Sequence, residues 1–230
     1  MFQTFGDGVQ LVRGRSVLLS ILVISAIYGL SSAGFDNLWT VNMLENLSFP
    51  AIGNWKPVVW FGIFSAAVSV LGLLGTEFVR RQVDTSQQAA IVRTLMFLTG
   101  ATAVCMIIYG LTSNFWLAAI VYCLSITLRR TSDPLLRTWI NQNTESKVRA
   151  TVLSMDSQLN SLGQTIGGPA IGAIGSALSL PAALVTTGLT RVPVTLLFAR
   201  LVFRGKNGQD MDPSGDGTGR GVSSEIPQAV

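Results

Sequence analysis

The chain has 230 residues, 49% of them hydrophobic and 12% charged, with a mean hydropathy of +0.49 and a formal net charge of +4. A soluble domain carries about a quarter charged residues, so the composition excludes an ordinary soluble enzyme and points to an all-α, polytopic membrane protein. No histidine is present, which removes imidazole metal ligands, Ser-His dyads and histidine proton relays. The two cysteines, Cys105 and Cys123, fall in apolar blocks that offer neither a disulfide framework nor a zinc site. No catalytic residue, metal site or cofactor is expected.

Residues 1–15 read as a cytoplasmic, linker-like N-terminus. Residues 16–204 read as one domain of six transmembrane helices, and residues 205–230, rich in Gly, Ser, Pro and Asp, as a disordered cytoplasmic tail. A block of about 18 or more apolar residues with few charges is long enough to cross a bilayer. Six such blocks are expected: Ser16–Leu44, Pro57–Phe78, Ala89–Leu111, Asn114–Trp139, Val152–Leu178 and Leu180–Phe203. The first is too long for the apolar region of a signal peptide, and no A-x-A-like site follows it.

In the first span, "GFDNLW" places Asp36, Asn37 and Trp39 in the outer part. Trp39, Trp55, Trp60 and Trp116 gather near outer span ends, where an aromatic belt is expected. Between the second and third spans, "GLLGTEFVRRQVD" (Gly72–Asp84) reads as a cytoplasmic loop, either a hinge or a plain basic anchor. Glu77, Arg80 and Arg81 form a charge cluster there.

Arg129, Arg130 and Asp133 interrupt the cytoplasmic half of the fourth span, and Pro134 removes a backbone hydrogen bond and is expected to kink it. A charge at membrane depth costs about 2.5–3.5 kcal/mol on insertion scales, so it faces a cavity or a partner. A long arginine near a helix end can instead snorkel to the interface. Arg149 follows in the next loop and joins the cytoplasmic charge group.

The fifth span carries Asp156, Gln158, Asn160 and Gln164. Asp156, Asn160 and Gln164 are four apart, so they share one polar stripe. The run "GQTIGGPAIGAIG" (Gly163–Gly175) follows. It contains no G-x-G, and no lysine lies between Lys147 and Lys206, so it is not a phosphate loop. Gly163-xxx-Gly167 and Gly168-xxx-Gly172 read as a close-packing helix face, with Pro169 as a hinge. Arg191 lies in the middle of the sixth span at a depth near that of Asp156. The two are expected to pair, directly or through water, or else each faces its own aqueous pocket.

The basic residues set an orientation. Arg13, Arg15, Arg80, Arg81, Arg93, Arg129, Arg130, Arg137, Lys147, Arg149, Arg200, Arg204, Lys206 and Arg220 fall on one side, and Lys56 alone on the other. The positive-inside rule puts both termini in the cytoplasm. It also accounts for the net charge without a nucleic-acid partner.

Several of these stretches carry a resemblance. "VRGRSVLLSILVISAIYGLSSAGFDNLW" resembles the start of a seventh helix. "GLLGTEFVRR" resembles a degraded G-x-L-a-D-r-x-G-R-R loop signature: Gly72, Leu74, Arg80 and Arg81 match, Glu77 carries the acid displaced by one position, and Val79 replaces a glycine. "RATVLSMDSQLNSLGQTIGGPAIGAIG" resembles an eleventh helix, and Gly168-Pro169-x-x-Gly172 echoes the antiporter signature G-P-x-x-G-G, with Ala173 for the last glycine. From Gly6 to about Lys206 the chain resembles the C-terminal six-helix half of an efflux-type major facilitator superfamily transporter.

The resemblance implies a twelve-helix, two-half transporter in the plasma membrane, coupled to protons or another ion and exporting small molecules by alternating access. It implies that a second six-helix half is supplied by a separate chain or by a second copy. Tyr28, Asp36, Asn37, Trp39, Trp60, Asp156, Asn160, Gln164 and Arg191 are the candidates for the substrate or ion path, with Asp36 foremost. The alternative is a membrane protein that does not transport: a remnant, or an assembly partner.

Overall fold

A computed structural model describes residues 16–50, 55–84 and 87–209. The linker-like segment 1–15 and the tail beyond 209 lie outside the described residues. Seven helical segments occur among those described, and no strand: α1 (Ser16–Asn46), α2 (Pro57–Gln82), α3 (Gln88–Leu111), α4 (Phe115–Gln142), α5 (Arg149–Ala177), α6 (Leu180–Leu189) and α7 (Val192–Gln209). The tail boundary expected at residue 204 is overrun by α7.

Local chemistry sets several starts. Pro57 opens α2, where its fixed φ and missing N–H cost nothing. Asn114 caps α4 by accepting from the backbone N–H of Trp116 (2.9 Å) and Leu117 (3.2 Å). Ser179 caps α6 by accepting from Ala182 N–H at 3.2 Å.

Four stretches are long and apolar enough to cross a membrane: Leu18–Asn46, Pro57–Gln82, Gln88–Leu111 and Leu180–Phe203. The other two expected spans, α4 and α5, are long but more polar. Arg129, Arg130, Asp133 and Arg137 punctuate α4, while Asp156 and a run of Ser, Gln, Asn and Thr mark α5. The helix passes through Pro134 and through Pro169 without an assigned break.

Two expectations change. Gly72–Arg81 is helix, not loop, because α2 continues to Gln82 and only residues 83–87 connect it to α3. The sixth span is two helices that meet at Thr190 and Arg191.

The core has two apolar clusters. One, built from Leu18, Ile21, Ile24, Tyr28, Ile91, Leu95, Trp139, Ile140, Met155, Val194 and Phe198 among others, sits toward the starts of α1, α3 and α5. The second, with Phe35, Met43, Trp60, Phe64, Met106, Tyr109, Phe115 and Leu184, sits toward the opposite end. Between the two clusters several helices carry buried polar residues. These are Ser31 and Ser32 on α1, Thr99 and Thr102 on α3, Ser125, Thr131 and Ser132 on α4, and Thr187 and Arg191 at the α6–α7 level. The bundle therefore has a polar waist between two greasy ends.

Glycines set two close crossings. A methyl group on Gly163 would overlap the carbonyl oxygen of Ala26, one on Gly167 that of Leu30, and one on Gly29 that of Asn160. The backbones of α1 and α5 thus touch, as small residues allow in lipid. At the second crossing, between α3 and α6, a Cβ on Gly188 would lie 2.9 Å from Ala103 O, and one on Gly110 would lie 3.0 Å from Pro181 O. The expected Gly168-xxx-Gly172 face does not pack. A Cβ on Gly168 would make ordinary contact with Asn37, and one on Gly172 would meet nothing within 4 Å.

Candidate functional site

The waist opens into a cavity of about 200 Å³ lined by Tyr28, Ser32, Arg129, Ser132, Asp133, Asn160, Gln164 and Arg191. These come from α1, α4, α5 and the α6–α7 junction. Tyr28 and Ser32 lie four apart on α1, as do Asn160 and Gln164 on α5, and Arg129 and Asp133 on α4. Each helix therefore presents one stripe.

Arg191 is the buried charge, at 4% exposure. Its Nε donates to Ser31 Oγ at 2.8 Å, and its guanidinium lies over the Tyr28 ring, 4.9 Å from the centroid. Backbone chemistry puts it there. Thr190 N–H reaches Thr186 O (3.0 Å), but Arg191 N–H turns back to Gly188 O (3.1 Å). Pro193 has no N–H to offer the Leu189 carbonyl, so the helix ends at Leu189 and restarts at Val192.

The other strong ionic feature joins α1 to α4. Arg129 donates bidentately to Asp36, Nη1 to Oδ1 at 2.6 Å and Nη2 to Oδ2 at 2.9 Å. The Arg129 side chain is 20% exposed and that of Asp36 48%, so the pair sits at the wall of an open space rather than in dry core. Asp36 and Arg129, expected toward opposite sides of the membrane, stand at one level. The reason is that α4 runs past Trp139 to Gln142, which puts Arg129 at its midpoint.

The stripe on α5 is present and faces α1. Ser25 Oγ donates to Asp156 Oδ1, Asn160 Nδ2 donates to Ser25 O at 3.4 Å, and Gln164 Nε2 donates to Asn160 Oδ1 at 2.6 Å. The expected pairing of Asp156 with Arg191 is not formed. Each finds a serine on α1 instead, and Ser25 and Ser31 are separated by about 9 Å of helical rise.

The remaining candidates distribute as follows. Trp60 is buried at 5% exposure among Phe64, Phe115 and Trp116, so it is core rather than cavity wall. Trp39 stacks on Tyr122 at 4.0 Å and is half-buried, while Asn37 is exposed. Glu77 pairs with both Arg80 and Arg81, at 2.8 and 2.7 Å, on the exposed last turns of α2. Arg149 turns its Nη2 toward the Thr144 carbonyl at 3.4 Å. The expected cytoplasmic charge group thus splits: Glu77, Arg80, Arg81 and Arg149 lie at helix ends, and Arg129 and Asp133 lie in the waist. Sequence reasoning passed over Ser31, Ser32, Thr99 and Ser132, whose signal was small polar residues recurring at mid-helix.

Among the described residues no group of three or more His, Cys, Asp or Glu side chains could hold a metal ion. The chain matches no protein-family model, no curated protein and no solved structure.

Proposed function

We propose that this chain is one six-helix half of a secondary transporter of the major facilitator type, moving small molecules through the waist cavity by alternating access. The observation that carries the reading is the cavity itself. Two guanidiniums and a carboxylate line it at mid-height, between two apolar clusters. Ionisable groups at that depth are costly and mark substrate or ion paths.

On this reading α4 and α5 also span the membrane. Two of their charges have partners there, since Arg129 meets Asp36 and Asp156 accepts from Ser25. The basic helix ends face the cytoplasm, both termini lie on that side, and the membrane is the plasma membrane. A proton gradient drives export.

The second half docks on α5. Its outward face, Ser154, Ser157, Gln158, Ser161, Leu162 and Thr165, borders an open groove of about 560 Å³. The hydroxyls of Ser161 and Thr165 are satisfied on their own helix, so the face is smooth enough for another helix. A non-transporting assembly partner would use the same face.

The test is reconstitution of the full chain in proteoliposomes under an imposed pH gradient, alone and together with a six-helix N-terminal half. Gradient-dependent flux that is lost in Arg129→Gln supports the transporter. Stable complex formation with no flux in either preparation supports the assembly partner and overturns transport.

A further inference from the structure

We infer that the waist cavity is a site for a singly charged organic anion, a monocarboxylate held by the terminal N–H groups of Arg191. This deepens the transport reading above and rests on it for the site's purpose, but not for the binding itself.

The argument turns on which groups in the lining still have a donor to give. Ser32 Oγ donates to Gly29 O at 3.0 Å and Ser132 Oγ to Leu128 O at 2.8 Å. The amide of Asn160 gives one N–H to Ser25 O and that of Gln164 one to Asn160 Oδ1, so each keeps a single neutral N–H. Both hydroxyls and the Asn160 oxygen thus face the space as acceptors or are already engaged. Arg129 directs both terminal nitrogens at Asp36. Arg191 differs. Among the described residues the one hydrogen bond of its side chain is from Nε to Ser31, neither terminal nitrogen is engaged, and it takes part in none of the ion pairs, which join Glu77 to Arg80 and Arg81 and Asp36 to Arg129.

A guanidinium buried to 4% exposure touches a hydroxyl and an aromatic face, and shares its cavity with the Asp133 carboxylate without forming an ion pair to it, so its terminal nitrogens remain open to a further acceptor. Its two terminal nitrogens form the planar fork that matches a carboxylate bidentately. The same geometry limits the ligand's charge. Asp133 lines the cavity, and Arg129 of the lining is paired with Asp36, which is not itself part of the lining. With Asp36 neutralised by Arg129, Arg191 and Asp133 leave the lining without net charge, which disfavours a dianion such as phosphate more than a single negative charge. The volume of about 200 Å³ admits a body of benzoate size.

The experiment uses the purified full chain in detergent, with thermal unfolding followed by the fluorescence of its five tryptophans. Sodium benzoate is titrated against benzamide, benzylammonium chloride and sodium phosphate at matched ionic strength. Benzoate alone should raise the melting temperature, saturably. Arg191→Gln should abolish the shift, and Arg191→Lys should leave it about tenfold weaker, because a lysine is a point charge without the fork. Asp133→Asn should lower the half-saturating benzoate concentration about threefold or more by removing a like charge.

An equal shift with benzamide, benzylammonium or phosphate overturns the assignment. So does a benzoate shift that survives in Arg191→Gln, or one that weakens in Asp133→Asn. If Arg191→Gln does not fold, the ligand series on the unaltered chain and the Asp133→Asn titration decide. Benzoate binding without gradient-driven flux would leave this site standing and sink the transporter; flux without benzoate binding would do the reverse.

Discussion

Asp36 and Arg129 join two helices by the shortest ionic contact in the waist, 2.6 Å on one arm and 2.9 Å on the other. Breaking a fully buried pair costs about 3–5 kcal/mol, since it strands a charge. Asp36 is about half exposed, so the loss here falls below that range. Asp36→Asn or Arg129→Gln alone should lower the melting temperature in detergent, and the double variant should recover most of the loss. A double variant as unstable as the sum of the singles would show that the two side chains act separately. Neither partner advertises the other in the sequence. An acid on α1 and an arginine far along the chain meet only because α4 extends past its apolar end, and no local pattern encodes that length. Trp60 is the converse. Its position at a helix end suits an interfacial anchor, yet Phe64 and Phe115 close over it, a contact that depends on how α2 lies against α4.

At the scale of the helix, much was legible. The stripe Asp156, Asn160, Gln164 follows from a period that the backbone imposes, and the first small-residue pair on α5 follows from its spacing. Which pair would pack was not legible, since Gly163-xxx-Gly167 and Gly168-xxx-Gly172 satisfy the same rule and differ only in facing. The facing is testable. Gly163→Val should destabilise the protein by about 1–3 kcal/mol, the cost of overpacking, seen as loss of monodisperse material in size-exclusion chromatography. Gly172→Ala should be silent, since open space surrounds that position. The reverse ranking would mean that α1 and α5 cross elsewhere. The break at Arg191 was hidden because Leu180–Phe203 is apolar throughout by composition. Its signal was Pro193, which removes the donor for Leu189. Pro193→Ala should restore that bond, fuse α6 to α7 and raise the melting temperature, while weakening benzoate binding as Arg191 turns from the cavity. A variant that melts lower would show that the junction is set by packing instead.

For the molecule as a whole, the basic helix ends and the two-cluster core make a claim about sidedness. The turn between α3 and α4 and the turn between α4 and α5 lie at opposite ends of α4. In a chain with Cys105 and Cys123 replaced, Ser113→Cys should react with a membrane-impermeant thiol reagent in intact cells. Ser146→Cys should react only after permeabilisation. Labelling of both from outside would refute the six-span topology and with it the transporter. The charge distribution carries an expected orientation, because insertion responds to basic residues counted near span ends. The waist was not readable in that way. It arises when serines and threonines from separate helices, each unremarkable in its own segment, come to the same height.

The touching backbones of α1 and α5 and of α3 and α6 bear on how this sequence can drift over evolutionary time. Apolar neighbours in either cluster can exchange for one another with small repacking, so their identities erode freely. Gly29, Gly163 and Gly167 have no such latitude, because a carbonyl oxygen already occupies the place of any side chain, and Gly110 and Gly188 are nearly as confined. A lineage in which the α1–α5 crossing closes in the same way must keep Gly29, Gly163 and Gly167 glycine. They are the positions at which relatives that keep this crossing are expected to align.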